Sequence, residues 1–238
     1  ALMPPANVAG LALLGAPILC LDICTVLDIM RDPTRIMIRD HEQRVALDLL
    51  AAMETGTALV SLAADQVQLE FDSNADTVAD EATRSLQKLR ALLARIDAVG
   101  AVFGSSGRTE LRHPDDYVAR YRAVVDRWMA IVVLVPQSQE IAPRALLRLN
   151  RVRTPARKGK DSMKDCVVIE SYLDIVSSLR TAGLTSKIVF VSSNTRDYAG
   201  ETGRALKADF SRGILHYQNG VRAEFGSRKV FPGSLDII

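Results

Sequence analysis

Short apolar runs alternating with helix-forming stretches constrain this chain most. Residues 18–21, 58–61 and 187–191 read as strands, and each is followed by sequence with helical spacing. The runs ILCL and IVFV lack the polar alternation of a half-exposed strand, so they suit a sheet buried on both faces. Such strands are joined by helical crossovers, which predicts an α/β fold with a central, mostly parallel sheet. A short helix near Ala205 and a strand at residues 214–217 are expected to finish it. Sites in such sheets lie beyond the carboxyl ends of strands, which is where Asp22 and Asp197 fall.

The helical segments have readable limits. Asp32-Pro33 is a start signal for a helix carrying Ile36, Val45, Leu49 and Met53, and Gly56 ends it. Residues 63–71 place Glu70 about two turns into a helix, and a second helical stretch runs from Asn74 to about Gly100. Pro114-Asp115-Asp116 opens another, which continues through Trp128 into the apolar residues 131–135 and stops at Pro136. Residues 141–149 and 165–179 are the last clear helices, with Gly183 capping the second. No Gly/Ser/Pro-rich linker brackets the middle, so residues 1–238 read as one domain with a helical insertion at about 75–150.

Composition excludes some classes. A net charge of +2 rules out a polycation, so any phosphate recognition must come from local clustering of Lys and Arg. No apolar run approaches the roughly 18 residues of a membrane span. Residues 11–21 have an apolar stretch of signal-peptide type but no basic flank or small-residue cleavage site. Cys20, Cys24 and Cys166 form no spaced framework; they read as packing residues of a protein from a reducing cytoplasm. His41, His113 and His216 are scattered, and none has a Cys or His at metal-ligand spacing.

Four acids at the ends or edges of apolar segments carry the chemistry: Asp22, Glu70, Asp165 and Asp197. Carboxylates in a shared cleft raise one another's pKa, and a hard divalent cation relieves that repulsion. Asp165 could also cap a helix and Asp197 an Asx-type turn. Glu170 lies about 140° around the helix from Asp165, so a salt bridge is its expected role. Asp28 and Asp161 read as solvated or capping groups.

The phrases LDICTVLDIMRDP, LVSLAADQVQLEFDSN, GKDSMKDCVVIESYL and VFVSSNTRDYA, in that order, resemble the PIN-like nuclease domains of bacterial toxin-antitoxin toxins and eukaryotic RNA-processing nucleases. In that family an Asp closes the first strand and a Glu lies in the helix after the second. A later helix starts with an Asp, and a further Asp follows the last core strand in a Thr/Asn-containing turn. Those positions match Asp22, Glu70, Asp165 and Asp197 here. The hydroxyl that the family often places just after the first Asp is Thr25, three residues on.

The resemblance implies a three-layer PIN-like fold, in a subfamily with a helical insertion, and a cytoplasmic endoribonuclease using Mg²⁺ or Mn²⁺ on single-stranded RNA. The ion would activate a water for in-line attack and offset charge on the leaving oxygen. Asp22 and Asp197 are the expected direct ligands. Asp165 is expected as a direct or water-mediated ligand, and Glu70 as an outer acid or the ligand of a second ion. Asn194 and Thr195 would hold a water or the scissile phosphate. A toxin neutralised by an antitoxin protein is the corresponding biological role. An inactive RNA-binding scaffold, or a nuclease for structured RNA or DNA, keeps the same fold.

A basic stretch precedes Asp165. Arg144, Arg148, Arg151, Arg153, Arg157, Lys158, Lys160 and Lys164 are interrupted only by Asp161. Arg157, Lys158, Lys160 and Lys164 are the expected substrate contacts, along a phosphate backbone; the other reading is a solvated loop. The apolar stripe of the inserted helices could serve a homo-oligomer.

Overall fold

The computed structural model describes residues 6–35, 40–110 and 116–198. The expected elements near Ala205 and at 214–217, His113 and His216, and the side chain of Thr195 lie outside what is described. The helix expected after Asp32-Pro33 is described from Asp40 onward, and Ile36 lies outside it.

The first described element is a helix, α1 (Val8–Leu14), which includes part of the apolar stretch at residues 11–21. Asn7 caps it by accepting from the Gly10 N–H at 3.1 Å, and Gly15 ends it in the left-handed region at φ 65°. There follow β1 (Ile18–Leu21), α2 (Ile23–Asp28), α3 (Asp40–Glu54), β2 (Val60–Ala64) and α4 (Asp65–Val102). After α4 come α5 (Tyr117–Ile131), β3 (Val133–Val135), α6 (Ile141–Asn150), α7 (Met163–Thr181), β4 (Ile188–Val191) and α8 (Thr195–Tyr198). The strands form one sheet in the order β3-β2-β1-β4, every pair parallel. β1, β2 and β4 are buried along their whole length, as continuous apolar runs require. The fold is α/β with a four-stranded parallel sheet flanked by helices, and no helix among the described residues is long and apolar enough to cross a membrane.

Three local readings need correction. The second strand sits at Val60–Ala64, slightly beyond the expected 58–61. The run at 131–135 is not the end of a helix: α5 stops at Ile131, and β3 forms the sheet edge beside β2. Consecutive Val132, Val133, Leu134 and Val135 favour extended backbone, and Pro136 closes a strand too short to show a period. The break expected between Phe71 and Asn74 does not occur, because Ser73 Oγ donates to the Leu69 carbonyl (2.8 Å) and Asn74 Nδ2 to the Glu70 carbonyl (2.7 Å). Side chains that would compete with the helix instead bond back one turn within it, and α4 runs unbroken for 38 residues.

Helix α7 anchors the arrangement. Cys166 through Leu173 are all buried, and the Tyr172 hydroxyl donates to the Leu21 carbonyl (2.5 Å) while accepting from the Ala64 N–H (3.2 Å). One phenol thereby ties together the carboxyl ends of β1 and β2.

Candidate active site

The residues following β1, β2 and β4 meet at one edge of the sheet. Asp22 comes directly after β1, and its N–H donates to the Val191 carbonyl of β4 at 2.9 Å. Its buried carboxylate accepts from the Ser192 hydroxyl and from Cys24 Sγ (2.9 Å). Burial pushes its pKa up, and those two hydrogen bonds oppose the shift. Cys24, read from sequence as packing, is therefore a partner of the central acid. The same burial, followed by the Asp22 charge, pushes its thiol up to about 12.

The turn after β4 is bonded to α2. Thr25 Oγ1 accepts from the Ser193 N–H at 3.0 Å and lies 3.5 Å from the Val191 carbonyl. Ser192 Oγ accepts from the Asn194 N–H at 3.0 Å. Thr25, the hydroxyl that the resemblance places after the first Asp, braces the turn through these bonds. Asn194 donates its side-chain amide to Asp197 Oδ2.

Asp197 is the most heavily engaged acid. Lys160 Nζ lies 2.5 Å from its Oδ2 and Arg157 Nε 2.9 Å from its Oδ1. Burial alone would raise its pKa, but Lys160, Asn194 and Arg157 together hold it below the usual carboxylate value. Lys160 is raised in turn, chiefly by its bond to Asp197.

Asp165 stands in the first turn of α7 and does not cap it, since the N-cap is Ser162. Lys160 Nζ reaches its Oδ2 at 3.4 Å, so one ammonium bridges Asp165 and Asp197. Burial raises the Asp165 pKa to about 6; the charges of Asp22 and Asp197 add to the rise and Lys160 opposes it. Glu70, on α4, accepts from Gln66 Nε2 at 2.9 Å. Its pKa is raised by burial and by Asp22, with Gln66 and the charge of Lys164 opposing. Tyr198, a residue the sequence reading passed over, buries its ring against Phe190 with centroids 4.9 Å apart. Its pKa is pushed well up by burial, then by Asp22, Asp165, Cys24 and Asp197.

The four acids therefore form one electrostatic neighbourhood, linked through Lys160 and through the mutual influence of Asp22, Asp165 and Glu70. They do not form a closed cage: among the described residues no three His, Cys, Asp or Glu side chains are grouped as around one ion. All four donors are hard carboxylate oxygens, which suits Mg²⁺ or Mn²⁺, and Mg²⁺ commonly takes only one or two carboxylates and keeps several waters. On donor chemistry the residues fit such an ion.

The basic stretch divides into two parts. Arg144 and Arg148 do not contribute to a phosphate track, because they pair with Asp174 (2.5 Å) and Glu170 (2.6 Å). Glu170 is thus in the salt bridge expected of it. Nor is the loop at 151–162 merely solvated. Arg148 Nη1 donates to the Thr154 carbonyl at 2.7 Å, Ala156 packs with Cys166 in a small core, and Arg157 and Lys160 grip Asp197. Lys158 and Lys164 are exposed beside it.

Comparison with known proteins adds the family. No curated protein and no solved structure matches the chain. The PIN domain matches residues 34–198, which include Glu70, Asp165 and Asp197 and begin after Asp22. The matched stretch covers more than half of the sequence and spans three of the four strands as well as the acid-bearing helices. This chain belongs to the PIN domain family, whose members are generally nucleases and typically metal-dependent.

Proposed function

We propose that the chain is a Mg²⁺- or Mn²⁺-dependent nuclease that hydrolyses phosphodiester bonds of single-stranded RNA. One observation carries this reading: carboxylates from separate elements, Asp22 buried and Asp165 and Glu70 half-buried, lie close enough beyond the strands of a parallel sheet for the Asp22 charge to raise the proton affinity of the other two, next to a docked cationic loop. Asp22, Asp165 and Glu70 would hold the ion, with waters completing its shell. Asp197 would join only if Lys160 left it. When bound, the ion supplies a Lewis acid for the attacking water and the leaving oxygen.

The chain's own groups would do the rest. Ser192 and Cys24 orient the Asp22 carboxylate, Thr25 and Asn194 fix the turn that carries Asp197, and Tyr172 locks the strand ends. Lys158 and Lys164 would receive the flanking phosphates.

The test is cleavage of labelled single-stranded RNA, structured RNA and DNA, each with Mn²⁺ and with EDTA. Metal-dependent cutting of single-stranded RNA is the expected result. Preferential cutting of DNA or structured RNA would overturn the substrate class. Binding without cutting under any metal would favour a second reading, an RNA-binding scaffold, whose support is that Lys160 and Arg157 already neutralise Asp197.

The lysines give a separate expectation. Replacing Lys158 and Lys164 with Ala should weaken RNA binding and flatten the slope of log K against log salt by about 1.4, since each phosphate contact on a single strand contributes roughly 0.7. Fluorescence-anisotropy titrations at several salt concentrations measure it, and an unchanged slope removes both residues from the interface.

A further inference from the structure

The far half of α4 leaves the body of the protein. Its buried residues end at Leu86, yet the helix continues to Val102, about 24 Å further at 1.5 Å per residue. Along this arm Leu89, Leu92, Ile96, Val99 and Phe103 follow one another in alternating steps of three and four. That is the a/d spacing of a two-helix coiled-coil seam, ending on the C-cap residue Phe103, and it shares its register with Val78 and Ala82, which pack on the body, through Ser85.

The seam is open beyond the half-buried Leu89: Leu92 is 53% exposed, Ile96 55%, Val99 52% and Phe103 83%, and Val102, which flanks it, is 81% exposed. Among the described residues, the chain returning from the helix does not cover it. Thr109 donates its N–H (2.8 Å) and hydroxyl (3.0 Å) to Asp97, which lies about 100° around the helix from Ile96.

We infer that this arm is a dimerisation element and that its occupant is the same arm of a second copy, packed antiparallel with Ile96 at the two-fold axis. The area argues for this. Leu92, Ile96, Val99, Val102 and Phe103 expose on the order of 500 Å² together, so mutual burial removes about 1,000 Å², the lower bound for a specific interface. An apolar patch of that size is itself at the upper range for a monomer. The seam is also self-complementary, as an isologous contact requires. About Ile96, Leu89 faces the partner copy's seam near Phe103, and Leu92 meets it near Val99. Charge agrees with the antiparallel sense: Lys88 falls opposite Gly104 and not opposite another cation, while the two bodies lie at opposite ends of the pair.

Sedimentation velocity of the full chain, from about 1 to 200 µM, tests this across the micromolar range of dissociation constants. The weight-average mass should rise from that of one 26.0 kDa chain toward twice that value. Ile96→Glu and Val99→Lys should each hold the protein at the single-chain mass throughout, with a thermal midpoint that matches the wild type at the lowest concentration, where both are single chains, because both sites are exposed. Oxidative cross-linking should capture Ile96→Cys pairs and not Leu89→Cys pairs. A wild type that stays monomeric at the highest concentration overturns the inference, as does a dimer unaffected by both charge substitutions. Efficient Leu89→Cys cross-linking overturns the antiparallel arrangement.

Discussion

Asp165→Asn and Asp22→Asn should each lower metal-dependent cleavage by on the order of 100-fold or more, because even outer-shell changes at metal sites cost about 10–100-fold. Neither substitution should harm the metal-free fold. Both remove a carboxylate whose charged form burial disfavours, and Asn can still accept the hydrogen bonds that Ser192 and Cys24 give to Asp22. Loss of activity with intact or increased stability in EDTA, and with loss of the Mn²⁺-induced rise in melting temperature, is the expected signature. Cleavage that survives both substitutions would show that these acids hold no catalytic ion.

The pH dependence follows from the same carboxylate. Asp165 has a folded pKa of about 6, above its ordinary 3.8, so the fold favours its protonated form. Between these values the unfolded chain is ionised and the folded chain is not, so in EDTA its contribution to stability falls as pH rises through that window. Asp22 and Glu70 are shifted in the same direction. Asp197 is shifted the opposite way, and its contribution is lost as pH falls through its depressed value. A cation needs ionised ligands, so Mn²⁺ affinity and cleavage should fall about tenfold per unit below pH 6. Thermal shift at fixed Mn²⁺ across pH 5 to 8 measures this, and Asp165→Asn should flatten it.

Legibility in the sequence depended on how local each signal was. β1 and β4 were readable because their apolar runs reflect burial on both faces, and α6 and α7 because their periodicity is long. β3 was not, since three residues cannot show a period and its pairing with β2 is set by tertiary structure. Helix α1 carries its own marks, Asn7 and Gly15, but seven mostly apolar residues are too few to show a helical period. Among the site residues, the positions of the acids at element ends could be read, but their counter-ions could not. Nothing local distinguishes Lys160, which bridges Asp165 and Asp197, from Arg148, which is buried against Glu170. Tyr172 and Cys24 were equally silent, because their roles come from hydrogen bonds made to atoms that folding brings alongside.

Arg148→Met should be among the most destabilising single substitutions in the protein. It removes the guanidinium that lies 2.6 Å from the Glu170 carboxylate in a site where both side chains are buried, and it leaves the acid without that partner. Breaking a buried pair in this way costs about 3–5 kcal/mol, a large part of the roughly 5–15 kcal/mol that keeps a domain folded. The loss reaches the site through the backbone. Arg148 also donates to the Thr154 carbonyl, and its own carbonyl accepts from the Arg153 N–H, so the loop that presents Arg157 and Lys160 to Asp197 loses one of its anchors. Removing both charges with Arg148→Met and Glu170→Met should recover most of the stability, because the cost comes from the stranded carboxylate and not from the absence of a strong attraction. Substrate affinity should stay reduced in the double variant, since the loop anchor is still missing. Urea denaturation of the single and double variants, paired with RNA binding, separates the two effects. A single variant that loses less than about 1 kcal/mol, or a double variant as unstable as the single, would show that Glu170 is satisfied by other groups and that the pair does not hold the loop.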